Sequence, residues 1–460
     1  MATTDTNHTE ASVAQAKRII DAGGELVRFT TQGTREAENM KNISAQLKAD
    51  GYPQPLVADV HFTAHTADVA ALYCEKVRIN PGNYVDPGRV FKHLEYTDEE
   101  YAAELQKIEQ KFVPFLNICK EHHTAIRIGV NHGSLSDRIM SRYGDTPAGI
   151  VESCMEFLRI CRREQFHDVV ISIKASNTVV MVNTVRLLVK TMEKEDMHYP
   201  LHLGVTEAGE GEDGRIKSAV GIGALLTEGI GDTIRVSLSE EPEAEIPVAR
   251  KLVELIPECT RLREQAESDF PSGASSSHDE ESAYIKDETL YLNLTAPDYE
   301  TFQLKAAMIA GPILIDGKAK ELVTNPVESN LSPLSSLLSP LSSFLSPLSD
   351  SILQAARVKF TKTEYISCPG CGRTLYDLRT TIQRIKEATK DMKGLKIGIM
   401  GCIVNGPGEM ADADYGYVGA GRGKISLYRQ KECVEKNIPE AEAVEHLLRL
   451  IQEDTKKGAE

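Results

Sequence analysis

The chain has 460 residues, of which 41% are hydrophobic and 26% charged, as is ordinary for a globular protein of two or three domains. Its formal net charge of −16 argues against broad nucleic-acid binding, although it is compatible with a local basic pocket. No run approaches the roughly 18 apolar residues of a membrane span, and the polar N-terminus lacks signal-peptide architecture. We therefore expect a cytoplasmic protein, in which nine cysteines suit metal or catalytic roles better than disulfides.

Residues 1–258 alternate short β-rich runs with longer helical stretches. The predicted strands are Glu25–Thr30, Pro55–Val60, Lys76–Asn80, Thr124–Val130, Asp168–Lys174, Pro200–Thr206 and Asp232–Leu238. Most are continuous apolar runs, which is typical of parallel strands buried on both faces. Helices are predicted between them, for example over Thr97–His122 and Thr146–Arg163. The repeated βα pattern predicts a TIM-type (β/α)8-like barrel of class α/β, although we count seven strands rather than eight.

Polar side chains cluster at the ends of these predicted strands. They are Arg28, Asp59, His61, Arg78, Asn80, Arg127, Asn131, Lys174, Thr206, Glu207, Arg235 and Ser237. The C-terminal strand ends of such a barrel form its active face. Guanidinium groups that converge there can bind phosphate oxygens bidentately. We therefore predict an anion pocket, with scattered structural ion pairs as the alternative.

Residues 259–352 have a different composition. The stretch Glu267–Ser282 is acidic and rich in serine, which predicts disorder. The run GPILIDG, residues 311–317, resembles a strand. Leu331–Asp350 then repeats a seven-residue Leu-Ser-Pro unit, and the proline in each copy argues against a coiled coil. We predict a truncated insert followed by a low-complexity linker.

Residues 353–460 are predicted to form a compact α/β unit. Helices are predicted over Arg373–Met392 and Ala441–Lys456. Strands are predicted over Leu395–Met400, which leads directly into a loop rich in cysteine and glycine, and over Lys424–Tyr428.

This last unit carries a distinctive cysteine motif, in which Cys368 and Cys371 share one tight turn and Cys402 follows a strand. An Asn-Gly-Pro-Gly turn then directs Glu409 back toward the cysteines. Zinc sites more commonly use four Cys or His ligands, and a redox dithiol would not need Cys402. Three thiolates and a carboxylate favour an iron–sulfur cluster with one weakly held iron, while zinc and a redox dithiol remain alternatives.

Several motifs together resemble the family of 4-hydroxy-3-methylbut-2-enyl diphosphate synthases, of the non-mevalonate isoprenoid pathway. The matching stretches include PLVADVHF, KVRINPGN, AIRIGVNHGSL, ISIKASN, PLHLGVTEAG, CPGCGRTLYDL and GIMGCIVNGPGEM. The resemblance implies a TIM-type barrel and a C-terminal cluster domain similar to those of sulfite reductases. It also implies reductive ring opening and dehydration of 2-C-methyl-D-erythritol 2,4-cyclodiphosphate, with ferredoxin or flavodoxin as electron donor.

The resemblance also assigns roles to individual residues. It implies that Cys368, Cys371, Cys402 and Glu409 ligate a [4Fe–4S] cluster, and that substrate displaces Glu409 from the unique iron. The implied substrate-binding residues are Arg28, Asp59, His61, Arg78, Arg127, Asn131, Lys174, Thr206, Arg235 and Ser237. Glu207 matches a pocket position from which a carboxylic acid with a raised pKa could deliver a proton.

The chain departs from the family pattern in two places. Family members have a further strand before the position that matches Met1, so we expect the barrel to lack its first strand and to expose two open edges. The chain also resembles a long form of the family with a shortened middle. We expect the linker to leave the two domains free to meet but poorly pre-organised, and closure between the subunits of a homodimer is a second arrangement. The alternatives to an active synthase are a degenerate cluster-binding protein and a zinc-stabilised binding protein.

Overall fold

The computed structural model describes residues 1–457 except 62, 87–94, 269–280, 328–337, 375, 404, 405 and 411. The predicted disorder over Glu267–Ser282 and the first part of the Leu331–Asp350 repeat fall largely outside the described residues. Within the part of the chain that is described, no helix is long and apolar enough to cross a membrane.

The first unit alternates strands with helices. Its elements are α1 (Thr9–Asp21), β1 (Val27–Thr31), α2 (Thr34–Ala49), β2 (Leu56–Val60), α3 (Ala64–Ala71), β3 (Lys76–Ile79), α4 (Pro81–Tyr84), α5 (Asp98–His122), β4 (Ala125–Asn131), α6 (Asp137–Tyr143), α7 (Pro147–Arg163), β5 (Val169–Lys174), α8 (Thr178–Lys194), β6 (His202–Leu203), α9 (Gly211–Leu226), β7 (Thr233–Ile234), α10 (Glu245–Glu254) and α11 (Ile256–Glu267). All seven predicted strands are present, although β6 and β7 are shorter than predicted. Strands β1 to β5 form one parallel sheet in chain order, β6 pairs with β7, and a bridge from Ile171 to Leu201 continues the series.

The barrel is open between β1 and β7. Among the described residues, no strand pairs these two with each other. The first residues of the chain instead run along the free edge of β1. The Ala2 amide donates to the Arg28 carbonyl at 2.8 Å, and the Thr6 hydroxyl donates to the Thr30 carbonyl at 2.6 Å. These bonds satisfy part of an edge that we expected to be fully exposed.

The middle of the chain adds β8 (Ser282–Lys286), β9 (Thr289–Leu294), α12 (Tyr299–Ile315), β10 (Glu321–Pro326) and α13 (Leu338–Ala355). The strand predicted at residues 311–317 is wrong, because Gly311 to Ile315 complete helix α12. This helix is buried along almost its whole length, so its apolar run carries no helical periodicity in the sequence. A Cβ at Gly311 would lie 2.6 Å from the Val220 carbonyl oxygen, so α12 packs with its backbone directly against α9.

The repeat region also differs from the prediction of a flexible linker. From Leu338 onward it is helical, as α13, with Pro347 inside the helix. Leu348, Ile352 and Leu353 of this helix are buried in the hydrophobic core. Burial of these apolar side chains stabilises a helix that the proline content alone disfavours.

The last unit is an α/β layer made of β11 (Glu364–Ser367), α14 (Leu378–Thr389), β12 (Lys396–Met400), α15 (Gly406–Glu409), β13 (Tyr415–Gly421), β14 (Lys424–Arg429), β15 (Glu432–Pro439) and α16 (Glu440–Lys457). Its sheet runs β11-β12-β13-β14-β15, with the first three strands parallel and the rest antiparallel. The strands and helices predicted here are present, although the first helix begins at Leu378 rather than Arg373.

The C-terminal unit packs on the barrel of the same chain. An isolated β-bridge joins Ala208 of the barrel to Ser367 at the end of β11. The Lys217 ammonium lies 3.2 Å from the Glu364 carboxylate, and both side chains are buried. The expectation of two poorly pre-organised domains is therefore wrong, because paired backbone and buried charges fix one arrangement within a single chain.

Candidate active site

A cavity of about 90 Å³ lies between the C-terminal strand ends of the barrel and the C-terminal unit. The barrel side is lined by Met1, Arg28, Asp59, His61, Arg78, Arg127, Asn131, Ser172, Lys174, Thr206, Glu207, Arg235 and Ser237. The opposite side is lined by Cys368, Pro369, Gly370, Cys371, Arg373, Met400, Gly401, Cys402 and Gly406. The structure thus brings the residues of the predicted anion pocket, Asn80 excepted, face to face with the three motif cysteines.

Arg78 holds a central position among the barrel residues. Its Nη1 lies 3.0 Å from an Asp59 carboxylate oxygen and 3.2 Å from His61 Nε2. Its Nη2 donates to the Gly129 carbonyl at 2.7 Å and to the Asn131 side-chain oxygen at 3.1 Å. Because both ends of the guanidinium are held, Arg78 fixes the geometry of the pocket.

The other cations are held less completely. Arg235 makes two hydrogen bonds to Glu245, at 3.0 and 2.6 Å, which leave its Nη1 uncommitted to that carboxylate. Arg28 Nε lies 3.6 Å from Asp59. Nε and Nη2 of Arg127 are buried and have no hydrogen-bond partner. An unpaired buried donor is costly, so Arg127 indicates that an oxygen-rich ligand completes the pocket.

The pKa values of Lys174, Arg127 and Arg28 are lowered by the same cause, which is burial. Burial lowers the pKa values of Lys174 and Arg127 well below their usual range, and the neighbouring arginines lower them further. Burial also lowers the pKa of Arg28 to about 10, against the opposing attraction of Asp59. Like charges gathered in a buried place repel one another, and a bound anion relieves that repulsion.

Two carboxyl groups lie where the barrel meets the C-terminal unit. The Thr206 hydroxyl donates to Glu409 Oε2 at 3.2 Å, and the Ser176 hydroxyl donates to the Glu409 carbonyl at 3.1 Å. Burial raises the pKa values of Glu207 and Glu409, and the charge of Glu207 raises the latter further. Glu207 also has a left-handed backbone with φ of 49°, a conformation that concentrates at functional sites.

The cysteines line the cavity opposite the cations. The Gly401 amide donates to Cys368 Sγ at 3.2 Å, and the Cys371 amide donates to Thr374 Oγ1 at 3.1 Å. Burial raises the pKa of the Cys368 thiol to about 12. A metal bound at this sulfur would stabilise the charge of the thiolate.

The spacing of the donors bears on the metal. Over the described range, no three His, Cys, Asp or Glu side chains converge closely enough to hold one metal ion. A structural zinc ion requires four ligands that meet at roughly 2.0–2.3 Å from a single point. In a cluster each thiolate binds a different iron, so three cysteines that line one cavity fit the larger group.

Arg373 is a site residue that we did not predict. Its side chain is 8% exposed and lines the cavity from the C-terminal unit. Its place two residues after Cys371, inside the same turn, is the signal from which the sequence could have indicated it.

Comparison with known proteins identifies both units. Residues 1–250 match the family model of the GcpE TIM-barrel domain, and residues 364–453 match that of the GcpE protein C-terminal domain.

The chain is also similar to curated proteins along nearly its whole length. It is 52% identical to the 4-hydroxy-3-methylbut-2-en-1-yl diphosphate synthase (flavodoxin) of Bacteroides fragilis, over 98% of this chain and 92% of that protein. The proteins of the same name from Phocaeicola vulgatus and Porphyromonas gingivalis are 53% and 44% identical, and 94% of each is covered. The Bacteroides fragilis alignment spans 584 positions, 124 more than the 460 residues of this chain, so the relative carries residues without a counterpart here.

Proposed function

The chain belongs to the GcpE family of 4-hydroxy-3-methylbut-2-en-1-yl diphosphate synthases, and we propose that the cavity between its two units is the active site of that reaction. The chain is an oxidoreductase of isoprenoid biosynthesis. The observation that carries the proposal is that barrel cations and motif cysteines face each other within one chain.

The barrel side suits a cyclic diphosphate as substrate. Arg28, Arg78, Arg127, Lys174 and Arg235 supply five cationic side chains, whereas Asp59 and Glu245 are the carboxylates committed to them. The excess positive charge matches the two negative charges of 2-C-methyl-D-erythritol 2,4-cyclodiphosphate. We assign Asn131, His61, Thr206 and Ser237 to the remaining oxygens, because they line the same cavity.

The cysteine side suits a [4Fe–4S] cluster, and enzymes of this family are iron–sulfur enzymes. Cys368, Cys371 and Cys402 would hold three irons, and Glu409 would hold the fourth. When bound, the cluster supplies electrons and a Lewis-acidic iron. The reaction takes up two electrons and one proton, opens the cyclic diphosphate and releases one hydroxyl as water.

The chain's own residues control the proton and exclude solvent. We assign Glu207 to deliver a proton to the leaving hydroxyl, because it lines the cavity and burial raises the pKa of its carboxyl group. The Thr206 hydroxyl donates a hydrogen bond to the Glu409 carboxylate, so Thr206 would hold this carboxylate when substrate displaces it from the iron. The packed contact between the two units keeps bulk water from the reacting groups.

The electron donor is proposed from the relatives. The curated relatives are named as flavodoxin enzymes, and we extend that donor to this chain, with ferredoxin as the alternative. Because one chain supplies both walls of the cavity, a single chain can complete the proposed active site without a partner subunit.

Anaerobic reconstitution followed by turnover tests the proposal. We expect a brown protein with about four irons per chain, the stoichiometry of one cluster. This protein should convert the cyclodiphosphate when reduced flavodoxin is supplied. A colourless zinc protein would refute the cluster assignment, and a brown protein without product would favour the degenerate alternative.

A mixing experiment tests closure within one chain. Lys174→Met removes a barrel cation and Cys402→Ser removes a cysteine, so each variant alone is expected to be inactive. If the active site forms within one chain, mixing the two variants restores no activity. Recovery of activity in the mixture would show that the cavity forms between subunits.

A further inference from the structure

Among the described residues of the C-terminal unit that line the cavity, Arg373 carries a charge. It faces the barrel cations across the cavity. It is 8% exposed, and neither its Nε nor its Nη1 has a hydrogen-bond partner. Two unpaired donors on one buried cation cost free energy unless a ligand completes them. The free N–H groups of Arg373 therefore indicate a ligand in the cavity that accepts hydrogen bonds from them.

The neighbours of Arg373 come from both walls. On its own unit it hydrogen-bonds the side chain of Cys371, and it is attracted by Cys402. From the barrel it is attracted by Asp59, and burial, together with the positive charge of Arg373, lowers the pKa of His61 to about 3. The guanidinium thus lies between the motif cysteines and the substrate-binding wall.

The chemistry of arginine suits this position. A guanidinium carries five N–H donors in a fixed plane and can donate to two different groups at once. One edge is engaged by a cysteine sulfur, and the free nitrogens remain for oxygen atoms in the cavity. The five cations of the barrel approach the same space from the other side.

We propose that Arg373 is a positioning residue that donates at once to the Cys371 sulfur and to the diphosphate of the substrate. The inference rests on the proposed function and assigns Arg373 a role in coupling substrate binding to the cluster. Its positive charge stabilises the cluster after an electron is added, so it raises the reduction potential. An anionic substrate on the same guanidinium neutralises part of that charge, so substrate binding and the potential are coupled through this side chain.

The test uses the full-length holoprotein with Arg373→Gln and Arg373→Lys. Cluster content is measured first, then the midpoint potential is measured by redox titration followed by EPR, with and without the cyclodiphosphate. Arg384→Gln is the matched control, because it removes one positive charge from an exposed position of the same unit that does not line the cavity.

For Arg373→Gln we expect wild-type cluster content and a lower potential. The ratio of reduced to oxidised cluster at fixed potential should fall about tenfold, which corresponds to about 59 mV for one electron. The substrate-induced change in potential should shrink, and the substrate concentration for half-maximal EPR change should rise about tenfold, a typical allosteric coupling. Arg373→Lys should recover much of the potential but little of the substrate response, because lysine lacks the planar fork.

Other outcomes are equally decisive. Wild-type potential and wild-type substrate response in Arg373→Gln would overturn the inference and leave the proposed function intact. If Arg373→Gln loses the cluster, Arg373→Lys carries the test, and a full substrate response from lysine would overturn the role of the fork. Cluster loss in both variants would make Arg373 an assembly residue and overturn its role toward substrate. A wild-type protein without a cluster would instead refute the proposed function.

Discussion

The backbones of the barrel and the C-terminal unit approach each other closely at Gly133 and Gly408. Gly133 lies in the 3-10 turn that follows β4. A Cβ at Gly133 would lie 2.4 Å from the Gly408 carbonyl carbon and 2.4 Å from the Glu409 amide nitrogen. Ordinary contacts between such atoms are about 3.5–4.0 Å long, so Gly133→Ala forces the Glu409 segment away by about 1 Å.

The expected effect follows from the packing. Gly133 does not have a positive φ, so alanine fits the barrel's own backbone and the strain falls on the contact between the units. Overpacking of this kind costs about 1–3 kcal/mol, which shifts a closing equilibrium by about 5- to 150-fold. A displacement of about 1 Å at the reacting groups can itself cost about a hundredfold in rate. We expect kcat to fall about 10- to 100-fold, with unchanged cluster content.

The assay combines turnover with a measurement of closure. Steady-state rates with reduced flavodoxin give kcat, and small-angle scattering reports whether the units have separated. Gly421→Ala is the control, because a Cβ there meets only the Lys424 Cβ, at 3.8 Å, and its φ is not positive. Wild-type kcat and a closed scattering profile for Gly133→Ala would refute the reasoning, since the steric contact would then have no bearing on closure.

Two further predictions follow from the buried charges and from the helix packing. Burial and neighbouring cations lower the pKa of Lys174. A bound diphosphate favours the protonated form of Lys174, so substrate binding takes up protons and weakens as pH rises. Calorimetry in two buffers of different ionisation enthalpy measures this proton uptake, which Lys174→Met should reduce. Equal binding heats in both buffers would contradict the prediction. Gly311→Ala places a Cβ 2.6 Å from the Val220 carbonyl oxygen and should lower the free energy of unfolding by about 1–3 kcal/mol. Denaturant titration checks this, and an unchanged midpoint would show that α9 and α12 can separate without cost.

Much of the barrel could be predicted because its signal is local. Most of the seven strands are short apolar runs with polar side chains at or just after their ends, and both features can be read without knowing what packs on them. The same rule failed at α12, where burial on all sides removes the polar face that distinguishes a helix from a strand. It failed again at α13, where Leu348, Ile352 and Leu353 gain stability from a surface that is distant in sequence.

The candidate site was predictable in its members but not in its assembly. The chemistry of Arg127 or Cys368 is visible in the sequence, because residue type and motif position point to it. Closure within one chain depends on contacts such as Thr206 with Glu409, which are 203 residues apart and follow no local pattern. Arg373 could have been indicated by its position beside Cys371, but its role depends on what faces it across the cavity.

The open edges of the barrel and the proposed substrate pocket share residues. Arg28 lies on β1 and Arg235 directly follows β7, so the two edges that no strand joins in the described residues each supply one cation to the pocket. Beside them lies a second cavity of about 520 Å³, bounded by residues of both edges. A diphosphate bound by both arginines, as proposed, would link these edges where the backbone does not. Ligand at 100 times its Kd stabilises a fold by about 2.7 kcal/mol when it binds only the native state. On the proposed function, substrate binding would therefore also stabilise the barrel, and the affinity of the pocket and the stability of the fold would depend on the same two side chains.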